Sequence, residues 1–247
     1  MRRSKGARRA TLRRSWTLLK LFRVEQTEPD RFYGALARDS VEQLQCWTVL
    51  DGATLLDVGG GPGYFARAFR SAGATYVSVE ADLGELAAVA EPGPGSVLGS
   101  ALALPFGDGS VDVCYSSNVL EHVPDPERML DEMVRVTRPG GLVFCSYTLW
   151  FSPWGGHETA PWHYAGGHYA ARRYARRHGH LPKNVFGTSL FAVSAARALR
   201  WVAGREDVEV VQVLPRYHPW WAWWVVRVPG LREVVTWNLA LVLRRAR

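Results

Sequence analysis

Leu55-Leu56-Asp57-Val58-Gly59-Gly60-Gly61-Pro62-Gly63-Tyr64 is an apolar run of β character that ends in a cluster of glycines. A helical pattern starts at about Tyr64, with Phe65, Ala68 and Phe69 on one face. Strand, glycine turn and helix in this order are how an α/β domain builds a nucleotide site. Glycines let the backbone approach a ligand closely, and the new helix presents free N–H groups. A second apolar run, Thr75-Tyr76-Val77-Ser78-Val79, ends at Glu80. A carboxylate roughly 20 residues beyond the glycines sits where one binds ribose hydroxyls.

Further segments narrow the choice of nucleotide. Gly99 to Phe106 (GSALALPF) precedes Ser110 to Ser116 (SVDVCYS) and Asn118 to Asp125 (NVLEHVPD). A helix follows from Pro126 to Thr137, stopped by Arg138-Pro139-Gly140-Gly141, and Leu142 to Ser146 is one more strand. From about Leu55 to Tyr147 the chain resembles the class I S-adenosylmethionine-dependent methyltransferases. Within them it is similar to the small-molecule branch (methyltransferase type 11) that includes the ubiquinone and menaquinone enzymes. A dinucleotide dehydrogenase has no reason to carry these segments in this order.

The resemblance implies the following roles. Asp57 orients the glycine turn and faces the methionine ammonium; Gly59, Gly61 and Gly63 line the methionine part of the cofactor. Glu80 binds the ribose, with Ala81 beside the adenine. Ala101 and Leu102 flank the adenine through their backbone, and Asn118 lies near the methionine carboxylate or the sulfonium. Ser100 stands where the family carries an Asp that bonds the adenine amino group, so the contact there is uncharged. The implied fold is α/β: a Rossmann-like, seven-stranded, mostly parallel sheet with helices on both faces and the last strand antiparallel.

The periodicity predicts helices over 10–23, 29–49, 64–72, 84–90, 126–137 and 188–203. Strands are expected over 54–58, 75–80, 95–99, 111–115, 142–147, 208–214 and 234–243. The organisation is a basic, amphipathic helical segment at 1–50 and a methyltransferase domain at 51–247. The domain divides into a cofactor half at 51–147, an acceptor-site insertion at 148–187 and a tryptophan-rich insertion at 215–233. With 247 residues, 47% of them apolar, the chain has ample material for one core. Cys46, Cys114 and Cys145 lack metal-ligand spacing and read as thiols of a reducing compartment. No metal is expected, and no apolar run is long enough to span a membrane.

The insertion at 148–187 is longer than a core connection needs, and long loops are commonly functional. It leaves the carboxyl end of a strand, where ligands sit in such sheets. Trp154, His157, Glu158, His163 and His168 supply apolar walls and proton-transfer groups. Arg172, Arg173, Arg176 and Arg177 follow on a helix and suit phosphate. His122, His157 and Glu158 are the candidate acid–base residues, and Trp154, His163, His168 and Arg172 the candidate acceptor contacts. The sulfonium is already activated, so alignment alone can carry most of the catalysis.

The net charge of +7 is unevenly placed: Met1 to Phe22 hold eight basic residues and no acid. Leu12, Trp16, Leu19 and Phe22 share a helical face there. Far along the chain, Trp220-Trp221-Ala222-Trp223-Trp224 lies between Pro219 and Pro229. A basic helix and a tryptophan cluster together suit reversible attachment to an anionic membrane surface, from the cytoplasmic side. Nucleic acid is disfavoured, since base-stacking aromatics are not interleaved with the arginines. The expected reaction is methyl transfer from S-adenosylmethionine to a lipid-linked or apolar small molecule, first of all O-methylation of a glycolipid or polyprenyl-linked sugar. The rivals are C-methylation of a quinone-type ring, an RNA methyltransferase, and a non-catalytic binding module on the same fold.

Overall fold

Apolar β-rich runs separated by helical patterns require a parallel sheet covered on both faces, and the computed structural model has that form. It describes residues 9–25, 27–82, 84 and 95–247. The expected helix at 84–90 falls almost wholly outside these. Seven strands form one sheet: β1 (Thr54–Val58), β2 (Thr75–Glu80), β3 (Ser96–Leu98), β4 (Val111–Ser117), β5 (Thr137–Thr148), β6 (Val208–Pro215) and β7 (Asn238–Arg245). Their order is β3-β2-β1-β4-β5-β7-β6. The first five strands run parallel, and β7 runs antiparallel to both β5 and β6.

The helices are α1 (Leu12–Phe22), α2 (Pro29–Leu44), α3 (Ala66–Ser71), α4 (Pro126–Val136), α5 (Gly167–His178), α6 (Ala195–Ala203) and α7 (Leu231–Val235). Helix α4 begins with Pro126 behind an Asp125 cap whose side chain accepts the Arg128 N–H; both features favour a helix start. Helix α6 is started later than the periodicity implies, at Ser194, whose hydroxyl accepts the Arg197 N–H. Strand β5 starts earlier than expected. Its Thr137 already pairs with Val111, and Arg138 to Gly141 continue the strand instead of forming a separate turn. The last strand starts later, because Leu231–Val235 is a helical turn.

Two apolar layers flank the sheet. One joins Leu56, Val58, Met129, Met133 and Val143 beneath α4 and α6. The other joins Phe32, Leu36, Leu44, Phe69, Tyr115 and Phe144 beneath α2 and α3. The segment before residue 50 thus supplies core through α2. Helix α1 docks by only part of the face its pattern implies, through Phe22 against Phe32. Leu18 and Ala10 are buried, and Arg14 turns inward to pair with both Asp39 oxygens at 2.5 and 2.7 Å. Leu12 and Trp16 face outward instead. A largely buried bidentate pair outcompetes two more apolar contacts here, since Arg14 also donates to the Arg216 carbonyl.

Candidate active site at the carboxyl edge of the sheet

The turn after β1 is built by close packing. Gly59 has φ +75°, and a Cβ there would come within 2.3 Å of the Val119 side chain. A Cβ on Gly60 would meet Ser78 and the Tyr76 hydroxyl. Gly61 and Gly63 also have positive φ, but open space lies where their side chains would be. The first pair is therefore glycine because protein packs on it; the second pair leaves room for a ligand.

Glu80 anchors the open side of this turn. Its Oε2 accepts the Gly61 N–H at 3.0 Å, and its Oε1 accepts the N–H groups of Ala81 (2.8 Å) and Asp82 (3.3 Å). Each carboxylate oxygen has capacity for further donors, so hydroxyls of a ligand could still bond Glu80. Asp57 lies deeper. It is 2% exposed, accepts the Tyr76 hydroxyl at 2.7 Å, and burial pushes its carboxyl up to about 7. Asp57 therefore supports the turn from below. The Ser100 hydroxyl accepts the Leu102 N–H, and Arg128 grips the Leu102 carbonyl, which fixes the Ala101–Leu102 backbone. Asn118 takes a left-handed backbone (φ 58°), and its side-chain oxygen accepts from Asn238 at 2.7 Å.

These features fit S-adenosylmethionine: a glycine cradle with free space, an adjacent carboxylate for vicinal hydroxyls, and a fixed backbone edge beyond it. The family comparisons agree. The methyltransferase domain model matches residues 56–145. A methyltransferase of Mycolicibacterium gilvum, itself uncharacterized, is 58% identical over 96% of both chains. The chain belongs to the class I S-adenosylmethionine-dependent methyltransferases. A solved S-adenosylmethionine-dependent methyltransferase from Mesorhizobium loti superposes with TM-score 0.57 at 18% identity, over 86% of this chain and 98% of its own. A geranyl diphosphate methyltransferase solved with S-adenosylmethionine gives 0.55 at 17% identity, over 94% and 90%. Both share the fold of this methyltransferase.

The structure sorts the acid–base candidates of the acceptor side. His122 and His157 come together, with ring centroids 5.0 Å apart. Glu158 does not join them. It lies at the surface and receives the Asn184 side chain at 2.8 Å, which ties the loop to itself. The carboxylate beside the histidines is Glu121, which is 1% exposed. The sequence segment Leu120-Glu121-His122 carries that signal, but only the short 3-10 turn after β4 shows that Glu121 and His122 both reach His157. Burial lowers His157 to about 4, so it is neutral at physiological pH and a weak base.

Of the candidate acceptor contacts, His163 is buried, with Nε2 on the Ser152 carbonyl at 3.2 Å and its ring against Trp150 and Tyr164. It is part of the loop's internal packing. His168 stands edge-on to Phe186 at the start of α5. Trp154 is 39% exposed and touches both Phe22 of α1 and Trp237 before β7. Phe22 continues to Phe32, Tyr33 and Tyr64, the last stacked on Tyr33 at 4.7 Å. One aromatic chain thus runs from the glycine turn to the acceptor loop. Arg172 lies on α5 with Arg173, Arg176 and Arg177, and these four line one groove with Tyr169. Among the described residues none of the four pairs with an acid; Arg173 stacks 3.9 Å over the Trp162 ring.

Arg216, next to the tryptophan-rich segment in the sequence, is central in the structure. It is wholly buried and donates to Ser117 and Ser146 (2.6 Å each), to Ser40 (2.7 Å) and to Tyr115 (3.1 Å). It braces the ends of β4 and β5 from below the site. No sequence pattern distinguishes it from the surface arginines.

Proposed function

We propose that this methyltransferase uses S-adenosylmethionine to methylate an apolar or lipid-linked acceptor carrying an anionic group, at a hydroxyl oxygen, on the cytoplasmic face of a membrane. The observation that carries the reading is the composition of the acceptor rim. Phe151, Trp154, Trp162, Tyr164 and Tyr169 are exposed around the loop that leaves β5. Beside them α5 offers four arginines without acidic partners among the described residues. Aromatic faces suit isoprenoid or sugar rings, and unpaired guanidinium groups suit phosphate or carboxylate.

S-adenosylmethionine, when bound, supplies a methyl group already activated by its sulfonium. Glu80 would take the ribose hydroxyls, Gly61 and Gly63 the methionine end, and Ala101–Leu102 the adenine edge. What remains for the chain is alignment of the acceptor oxygen and exclusion of water, which can contribute most of the barrier reduction. The low basicity of His157 agrees with that division of labour.

Lipid extracts of cells with and without the enzyme, compared by mass spectrometry, test the reading. A lipid-soluble anionic species heavier by one CH2 only when the enzyme is present supports it. Methylation confined to water-soluble neutral compounds or to RNA would overturn it.

A further inference from the structure

We propose that Glu121, His122 and His157 form a binding site for one divalent transition-metal ion of the zinc class. One ligand atom from each lies within 4.8 Å of the other two. Ligands of a tetrahedral zinc stand roughly 3.4 Å apart, given bonds of about 2.1 Å, so small side-chain adjustments close the site.

The hydrogen bonds around the three residues leave the right atoms free. Glu121 Oε1 accepts the Thr148 N–H at 2.9 Å, while its Oε2 is buried without a partner. His122 Nδ1 lies 2.7 Å from the Ser189 carbonyl. A carbonyl only accepts, so Nδ1 carries the proton and Nε2 keeps its lone pair for a metal. Metal-bound histidines are oriented by such a bond on the other ring nitrogen. The third atom, His157 Nε2, is also buried without a partner. A hydrogen bond between His157 and Glu121 would satisfy those two and leave His122 idle; a cation uses all three.

The backbone supports the same assignment. His157 adopts φ 48°, a left-handed conformation that costs energy outside glycine and clusters at functional sites. Two histidines and a glutamate, without thiolate, match zinc, cobalt or related ions over calcium or magnesium. Three protein ligands leave a fourth position open, as catalytic zinc sites do. The sequence conceals the site because Glu121–His122 and His157 lie in separate loops, joined only when the acceptor insertion folds back on the end of β4. Its occupancy would lock that insertion down. The site does not depend on the methyl donor.

Chelator-treated full-length enzyme, without donor, is titrated with Zn2+ by calorimetry and with Co2+ by visible d–d absorption. One equivalent bound, with the absorption of a four- or five-coordinate cobalt, is the expected result. Glu121→Gln keeps the Thr148 acceptor, and His157→Asn suits the left-handed backbone, so both should fold by circular dichroism. Each is expected to weaken binding by at least about 10–100-fold, while His180→Ala leaves it unchanged. Sub-stoichiometric uptake by wild type, or His157→Asn binding as tightly as wild type, would overturn the proposal. Should Glu121→Gln unfold, the His157→Asn titration alone decides. Failure here leaves the lipid-extract experiment, and the methyl-transfer reading, untouched.

Discussion

Trp220 donates its backbone N–H to the carbonyl of Ala10 at 2.8 Å. That bond places the tryptophan-rich segment against the start of α1, although 209 residues separate them by number (220 minus 10, less one). Each exposes apolar side chains: Leu12 and Trp16 on α1, Trp221 and Trp224 on the other. Trp223 turns inward and bonds the His218 carbonyl, so the cluster divides between core and surface. No helix among the described residues is long and apolar enough to cross a membrane.

If this joint surface meets anionic lipid, its two parts should separate by salt. Binding of the basic segment falls as ionic strength rises; burial of tryptophan does not. Removal of residues 1–8, which spares Ala10 and the Thr11 cap of α1, should reduce the salt-sensitive part of vesicle co-sedimentation. Trp221→Ser with Trp224→Ser should reduce the remainder with little loss of stability, because both rings are more than half exposed. Equal sedimentation of all three proteins would assign the surface to another role.

Replacing Glu80 tests the donor site. Glu80→Ala removes the proposed ribose acceptor and the clamp on Gly61 together, and should weaken S-adenosylmethionine by about 1.5–3 kcal/mol. Glu80→Gln retains one acceptor oxygen and should fall between mutant and wild type. Calorimetry reads both. Unchanged affinity in Glu80→Ala would remove Glu80 from the site.

Asp57 should make stability depend on pH. The unfolded chain releases this proton near the ordinary value of 3.8, the folded chain near about 7. Between these values the folded state holds a proton that the unfolded state has lost. The contribution is therefore full below about pH 4 and is lost as pH rises to about 7. Its size is on the order of 4 kcal/mol. Asp57→Asn cannot ionise and still accepts from Tyr76, so its denaturation midpoint should vary less over that window. Parallel pH profiles for the two proteins would refute the assignment.

Arg216 offers a test of what a buried cation contributes. Arg216→Ala takes the donor from three serine hydroxyls and the Tyr115 hydroxyl and leaves a cavity, and should destabilise by about 2–4 kcal/mol. Arg216→Met fills the space without the hydrogen bonds or the charge. A buried charge is costly in itself, so Met should recover part of the loss in urea denaturation. If Met is as damaging as Ala, the hydrogen bonds to Ser117 and Ser146 carry the stability. By contrast, Arg172→Ala on the exposed face of α5 should stay within about 0.5 kcal/mol.

The sheet and the glycine turn with Glu80 beside it were legible in the sequence because their signals are local. A strand, its glycine turn and the acid ending the next strand lie within 26 residues, from Leu55 to Glu80. The acceptor side was not, because its contacts join distant segments. Glu158 stands beside His157 in the sequence, yet the turn at His157–Thr159 sends it to Asn184, and Glu121 is the carboxylate that reaches His157. Nothing in the sequence around Arg14 or Arg216 announces Asp39 or a ring of hydroxyls as their partners. Amphipathic pattern gave α1 its existence but only part of its inward face; an ion pair decides the rest.

The space that Gly59 leaves for Val119 gives the two halves of the site a common wall. Val119 is two residues from Glu121 and three from His122 on the same short turn, and the His122 N–H donates to the Val119 carbonyl. A ligand that widens the glycine turn must press on that wall, and a ligand seated at the histidines must press back. A signal passing between the glycine turn and the histidines would then need no domain motion, only a shift of one valine. The His122 ring should report it, through a change in its NMR shifts when the donor alone is added.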